Sequence, residues 1–168
     1  MNFNTRFILL FLLLIASNLV KAQSADELFT AARKAAFDDK DYPKAISLSK
    51  QALQSSPNYA DIRVFLGRIY TWSKKIDSAR TEFNTVITAQ PSYEDAYVAL
   101  GYLEYWNDNS DKALLIVNNG IKNTSASEDL LLLKAKILND LKNWKEADQV
   151  VDQLLKQNPQ QTEARALA

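Results

Sequence analysis

The side chains that could do chemistry in this sequence are mainly carboxylates, lysines, serines and tyrosines, because the chain contains no histidine and no cysteine. Their absence removes the commonest general base, the thiol nucleophile and every imidazole or thiolate metal ligand. Adjacent carboxylates at Asp38 and Asp39 could suggest acid–base catalysis, but no pattern places a group opposite them. No nucleophile-elbow, P-loop or EF-hand spacing occurs. We therefore expect no enzymatic activity, no metal and no cofactor.

Composition points to the elements that must position these groups. The chain has 168 residues, of which 47% are apolar and only 3 are glycine. Glycine usually makes up about 7% of a soluble protein, so tight turns and phosphate-binding loops are disfavoured here. The composition favours long helices, and the length allows one domain.

Residues 1–22 have the layout of a secretory signal peptide. Arg6 precedes an apolar run from Phe7 to Ala16, and Val20 and Ala22 stand at the positions that favour cleavage before Gln23. The rival interpretation is a membrane anchor, but the run has 10 residues, where a spanning helix needs about 20. We predict a cleaved signal over residues 1–22 and an exported domain over residues 23–168.

The net charge of the exported part gives no general attraction for nucleic acid or anionic lipid. Removing Arg6 and Lys21 from the 20 basic side chains leaves 18 against 20 acidic ones, a net charge of about −2. A nucleic-acid partner is therefore not expected.

The sequence repeats itself at an offset of 34 residues. Glycine falls on one column at residues 67 and 101, and aliphatic residues fill another at 53, 87, 121 and 155. Alanine recurs at 45, 79, 113 and 147, and proline at 57, 91 and 159, with Ser125 in the gap. Such self-similarity is typical of stacked helical repeats. It predicts four units, at about residues 26–59, 60–93, 94–127 and 128–161, followed by the start of a further helix.

At these positions the sequence resembles the tetratricopeptide repeat (TPR) family, whose unit is a helix-turn-helix of 34 residues. The second unit shows the pattern best, with Leu66-Gly67, Tyr70, Ala79, Phe83 and Pro91. The third unit departs from it, because Glu104 stands where tyrosine is usual. The resemblance implies an all-α fold, a right-handed α-solenoid of four repeats.

Helix starts also recur along the chain. Ser24, Asn58 and Ser92 each stand three residues before an acid, which is the spacing of a capping box. In the last unit the cap falls to Ser125 or Ser127. The pattern predicts side-chain caps at the start of each first helix.

In the TPR family the first helices line a concave groove, and the resemblance implies which positions face it. These are the second, fifth, ninth and twelfth of each unit: Glu27, Thr30, Lys34 and Phe37; Asp61, Val64, Arg68 and Thr71; Asp95, Val98, Tyr102 and Tyr105; Asp129, Leu132, Lys136 and Asn139. The acids are explained by the helix macrodipole. The basic column of Lys34, Arg68 and Lys136 could meet a carboxylate or an acidic sugar, or could simply be solvated.

Aromatic residues are dense between Tyr70 and Trp106. Packing accounts for most of them, and Trp72 and Trp106 are expected to cover turns. Tyr102 and Tyr105 lie three residues apart on one helix and are the best candidates for a platform that stacks on a sugar or holds a peptide. Together with Phe37 and the basic column, they form the predicted partner-binding groove.

The stretch Asp61–Trp72, with a second tryptophan at Trp106, is similar to the periplasmic repeats of YaiO-type outer-membrane β-barrel proteins. That resemblance implies a periplasmic or outer-membrane location in a bacterium and association with a barrel. No alternating strands follow the repeats, so either a fragment or a free periplasmic homologue is expected. The predicted function is a periplasmic scaffold for a protein or peptide partner in the cell envelope, as the soluble N-terminal part of a YaiO-like outer-membrane protein. The alternative is a module that binds glycan or exopolysaccharide.

Overall fold

The computed structural model describes residues 23–167, in which nine helices occur and no strand. The predicted signal segment lies outside these residues. Four helix pairs follow one another: α1 (Ala25–Phe37) with α2 (Tyr42–Ser55), α3 (Ala60–Trp72) with α4 (Ile76–Ala89), α5 (Glu94–Tyr105) with α6 (Ser110–Asn123), and α7 (Glu128–Asp140) with α8 (Trp144–Gln157). A short α9 (Thr162–Leu167) packs on α7 and α8. The all-α solenoid of helix-turn-helix repeats predicted from the sequence is confirmed.

The core runs along the solenoid because each repeat buries its apolar face against its neighbours. Each helix packs on the next in the chain, and α3 and α5 also contact the first helix of the following repeat. Gly67 and Gly101, both buried, allow close contact: Gly67 faces the ring of Phe83, and Gly101 faces the tips of Val117 and Leu133. None of the described helices is long and apolar enough to cross a membrane.

The turn inside each repeat is built in the same way four times. Lys40, Lys74, Asp108 and Lys142, each 34 residues from the next, have left-handed backbone with φ between 56° and 59°. In the second repeat the N–H of Lys75 donates to the carbonyl of Tyr70 and that of Lys74 to Thr71, the pattern of a Schellman motif. The described turns therefore reverse direction without glycine.

Only two of the predicted helix caps are present. Ser24 forms a complete capping box with Glu27, and Ser127 caps α7. The prediction for Asn58 and Ser92 is wrong, because α3 and α5 begin one residue later, with Tyr59 and Tyr93 at the cap position and no side-chain cap bond.

The residues just before α3, α5 and α9 form hydrogen bonds to the preceding first helix instead. The hydroxyl of Tyr59 donates to Asp26 at 2.8 Å, and the hydroxyl of Tyr93 donates to Asp61. Gln161 repeats the arrangement at the far end by donating to Glu128 at 2.8 Å. Acids in the first turns of α1, α3 and α7 therefore serve as acceptors between repeats.

Candidate functional site

Two cavities are lined mainly by the first helices of neighbouring repeats. The cavity with more aromatic lining residues has a volume of about 250 Å³ and lies between α3, α5 and α7. It is lined by Arg68, Thr71, Trp72, Phe83, Val98, Ala99, Tyr102, Trp106 and Asp129. We call it the aromatic cavity.

Three rings of the aromatic cavity come from the C-terminal turns of two neighbouring first helices. Trp72 ends α3 and Trp106 follows α5, and they are 40% and 64% exposed. Tyr102 lies one turn before Trp106, with ring centroids 5.1 Å apart and planes inclined by 33°. The 34-residue spacing of the two tryptophans places them at equivalent points of adjacent repeats, so both reach the same cavity.

The aromatic cavity has a polar edge of both signs. Arg68 donates from Nη2 to Asp95 at 2.5 Å, so its charge is already balanced within the protein. Asp129 lies in the first turn of α7 and lines the cavity from the other side. The arrangement suits a side chain that has both an apolar body and a polar end.

A second cavity of about 300 Å³ adjoins the first toward the N-terminus. Its lining residues are Phe29, Arg33, Phe37, Asp61, Val64, Phe65, Arg68 and Asp95. Phe37 is 45% exposed, and its ring centroid lies 5.8 Å from that of Trp72. Arg68 lines both cavities, so they are neighbours, and we call the two together the groove.

The six residues predicted for the partner-binding groove take different places. Arg68 and Tyr102 line the aromatic cavity, and Phe37 lines the second one. Lys136 stands with its Nζ 6.0 Å from the centroid of the Tyr102 ring. Tyr105 turns away, because its hydroxyl donates to Asp140 at 2.5 Å, and Lys34 is exposed on α1 but lines neither of the two cavities.

Tyr105 is held by the fold rather than presented as a platform. Burial and its hydrogen bond to Asp140 raise the pKa of Tyr105 to about 12. The residue also packs on the core between α5, α6 and α7. Of the two tyrosines singled out in the sequence, Tyr102 is therefore the one whose ring lines the groove.

Two of the three cations of the basic column, Arg68 and Lys136, form ion pairs between repeats. Arg68 pairs with Asp95, and Lys136 pairs with Glu163. Each of these cations lies in one first helix and its acid in the first turn of the next. Burial lowers the pKa of Lys136, but the hydrogen bond to Glu163 outweighs it and the net shift is upward. Neither cation is simply solvated.

Sequence reasoning missed Trp72 and Trp106 as groove residues by expecting them to cover turns. Their equivalent positions at the ends of α3 and α5 were visible as a column. The sequence could not show that both tryptophan side chains stay exposed, because their exposure depends on how the next repeat stacks. The preceding repeat has Asp38 in that column, and Asp140 follows in the last.

Glu104, which stands where the repeat usually has tyrosine, lies in a buried ionic cluster outside the groove. Its carboxylate has no exposed surface and accepts bonds from Arg80 Nε at 2.6 Å, Lys112 Nζ at 2.8 Å and Asn109 Nδ2 at 3.0 Å. Burial alone would raise the pKa of Glu104, but the hydrogen bonds from Arg80 and Lys112 outweigh it and lower the pKa. The carboxylate therefore joins α4, α5 and α6.

Neither cavity contains a nucleophile paired with a base. Among residues 23–167, no group of three or more acidic side chains is placed to hold a metal ion. The chemistry that the groove offers is recognition, through exposed rings and a few charged side chains.

The fold of the described residues is a stack of helix-turn-helix repeats, with two cavities lined mainly by the first helices. A family model of the tetratricopeptide repeat matches residues 36–100. The match covers less than half of the chain, and the solved structures described next share its fold. None of the curated proteins compared matches the chain.

Solved structures share the fold at low sequence identity. A tetratricopeptide repeat protein from Parabacteroides merdae aligns with a TM-score of 0.75 at 20% identity, covering 86% of this chain and 57% of its own. PilW, described as a widely conserved type IV pilus biogenesis factor, aligns with a TM-score of 0.77 at 18% identity over 88% of this chain and 69% of its own. The first repeat domain of Spaghetti (RPAP3), bound to an HSP90 peptide, gives 0.63 at 20% identity over 73% and 97%. This chain thus spans little more than half of the Parabacteroides protein.

Proposed function

We propose that this protein is a non-enzymatic scaffold that binds a segment of a protein partner in its concave groove, with the aromatic cavity as the central contact. The observation that carries the proposal is the exposure of Trp72 and Trp106 at one cavity. Tetratricopeptide repeat proteins generally serve as protein-interaction scaffolds, and the Spaghetti domain was solved with a peptide bound.

The exposed tryptophans favour a binding role because each leaves a large apolar surface in water. Tryptophan is enriched among the residues that dominate the energy of protein interfaces. Two such rings beside Tyr102 and a charged rim reproduce an apolar centre with polar surroundings. A ring needed only for packing would gain more by burial.

We further propose that the scaffold is exported and works at the bacterial cell envelope. The signal-like pattern of residues 1–22 supports export. The pilus biogenesis factor among the structural neighbours and the similarity of Asp61–Trp72 to YaiO-type repeats support an envelope partner. On this basis the partner is an outer-membrane protein, and an associated β-barrel is the preferred candidate.

Site-specific photo-cross-linking in intact cells tests the groove. A photoreactive phenylalanine analogue replaces Trp106, and a matched control places it at Trp144, which is equally a tryptophan and is 55% exposed. We expect a discrete cross-linked partner from position 106 that is absent from position 144. Cross-linking that is the same from both positions, or absent from both, contradicts the proposal.

Glycan binding is the second candidate, favoured by the exposed, inclined rings of Tyr102 and Trp106, which could stack on a sugar face. Titration of tryptophan fluorescence with acetylated and acidic oligosaccharides tests it. Quenching that is lost on Trp106→Ala supports this candidate, and a flat titration across the panel rules against it.

A further inference from the structure

A pairing rule that holds in two repeats relates the charges on one first helix to those on the next. In two repeats a cation in the middle of a first helix pairs with an acid in the first turn of the following one. These pairs are Arg68 with Asp95 and Lys136 with Glu163, and both span 27 residues. In the first repeat Lys34 and Asp61 have the same spacing, but among the described residues they form no ion pair, and Asp61 accepts from Tyr93 instead. The groove therefore balances its own charge wherever the rule holds.

The third repeat breaks this rule at the aromatic cavity. Tyr102 occupies the position that Arg68 and Lys136 hold in their repeats, and the acid 27 residues later is Asp129. Within residues 23–167, the carboxylate of Asp129 accepts no hydrogen bond and forms no ion pair. A negative charge without the cation of the column thus lines a cavity in which half of the other lining residues are aromatic.

The nearby cations are already engaged by other acids. Arg68 also lines the cavity but pairs with Asp95 at 2.5 Å. Lys136 pairs with Glu163 while its Nζ lies 6.0 Å from the centroid of the Tyr102 ring. An anionic ligand would have to displace one of these acids, whereas a cationic ligand meets a carboxylate that is still available.

We propose that the aromatic cavity receives a cationic side chain, the ammonium of a lysine or the guanidinium of an arginine, from the partner polypeptide. Asp129 supplies the opposite charge, and Trp72, Tyr102 and Trp106 supply ring faces of the kind that attract cations. The volume of about 250 Å³ is below the range of about 300–1,000 Å³ typical of small-molecule sites and suits a single side chain. This inference rests on the proposed function and specifies its central contact.

The test uses a probe and a neutral isostere, read at the tryptophan indole N–H resonances of the exported domain. Nα-acetylarginine amide is compared at constant ionic strength with the corresponding citrulline amide, which has the same shape without the charge. We expect the arginine compound to shift the resonances of Trp72 and Trp106 and to leave Trp144 in place. The citrulline compound should bind at least about threefold more weakly, the effect of one exposed cation–π or ion-pair contact.

Two variants separate the role of charge from that of folding. Asp129→Asn should weaken the affinity for the arginine compound about threefold or more. Asp111 is a first-turn acid of α6 that does not line the groove, so Asp111→Asn should leave the affinity unchanged. Tyr102→Lys restores the cation of the column. We expect the arginine compound then to leave the Trp72 and Trp106 resonances unshifted, while the domain stays folded.

Several outcomes would overturn the inference. Equal binding of the citrulline compound, unchanged affinity after Asp129→Asn, or no response to the arginine compound would each do so. Shifts produced instead by a neutral chitotriose would assign the cavity to a glycan. Cross-linking of a partner through position 106 is a separate measurement, so the groove proposal can stand when the cationic contact fails.

Discussion

The ring of Phe83 lies so close to Gly67 that a Cβ atom built on residue 67 would approach Phe83 Cε1 to 2.4 Å. The contact joins α3 to α4 in the second repeat. The equivalent positions of the last repeat hold Ala135 and Val151, a larger residue facing a smaller one. The second and last repeats thus place complementary pairs at these equivalent positions, a small residue with a large one and a larger residue with a smaller one.

Gly67→Ala should destabilise the protein although alanine is the better helix former. The gain in helix propensity is about 1 kcal/mol, and the forced displacement of the Phe83 ring should exceed it and leave a net loss of about 1 kcal/mol or more. Urea unfolding measures the change. Gly101→Ala is the matched control, since its Cβ would meet only the tips of Leu133 and Val117 at 2.8 and 3.0 Å, and it should cost less.

A double-mutant cycle checks the explanation of the Gly67 effect. Gly67→Ala combined with Phe83→Val recreates the pair of the last repeat and should show a favourable coupling of about 1 kcal/mol. Additive effects would mean that the ring does not cause the loss.

Lys74→Gly should stabilise the protein by about 0.5 kcal/mol, because the left-handed backbone costs an ordinary residue about 1–2 kcal/mol and costs glycine little, while the freer unfolded chain cancels part of this gain. The residue has φ of 59°. Lys50→Gly is the control, since Lys50 is exposed in the middle of α2. It should destabilise by about 1 kcal/mol, and a stabilising effect at residue 50 would contradict the backbone explanation.

Glu104→Gln should lower the free energy of unfolding at pH 7 by about 2–3 kcal/mol, because the amide cannot accept bonds from two cations as a carboxylate does. The pKa of Glu104 is lowered in the folded state. Its stabilisation is therefore present above the unfolded pKa of about 4.5 and is lost as the pH falls through the folded value. The difference between wild type and variant should shrink in acid.

The surface pair of Lys134 and Glu146 provides the control for Glu104. The side chain of Glu146 is 42% exposed, so Glu146→Gln should cost less than about 1 kcal/mol. If both variants cost the same, burial of the Glu104 carboxylate has no energetic consequence.

Alkaline pH should weaken the fold through Tyr105. Its pKa is raised from 10.0 to about 12 in the folded state, so its contribution is complete below the unfolded pKa and is lost as the pH rises through the folded value. Between pH 10 and 12 the stability of Tyr105→Phe should fall less steeply than that of wild type. Tyr42→Phe is the control, since the hydroxyl of Tyr42 donates no hydrogen bond among the described residues. Parallel slopes for all three proteins would contradict the prediction.

The sequence by itself determined the helix pairs, because the 34-residue period fixes which residues must be small, apolar or helix-ending in every unit. Gly67 and Ala79 could be assigned to the packed faces from their columns alone. The resemblance to the tetratricopeptide repeat, not the period itself, implied that Arg68 and Tyr102 face a groove. Local chemistry was sufficient for Ser24, whose partner Glu27 lies three residues away.

Only the tertiary structure decided how neighbouring repeats use their polar and aromatic side chains. Tyr93 replaces a cap because its hydroxyl reaches Asp61 in the repeat before it. The hydroxyl of Tyr105 donates to Asp140, and Trp72 and Trp106 line the same cavity. These outcomes depend on contacts between residues about 30 positions apart. A periodic pattern shows that such positions are equivalent, but it does not show which of their side chains touch.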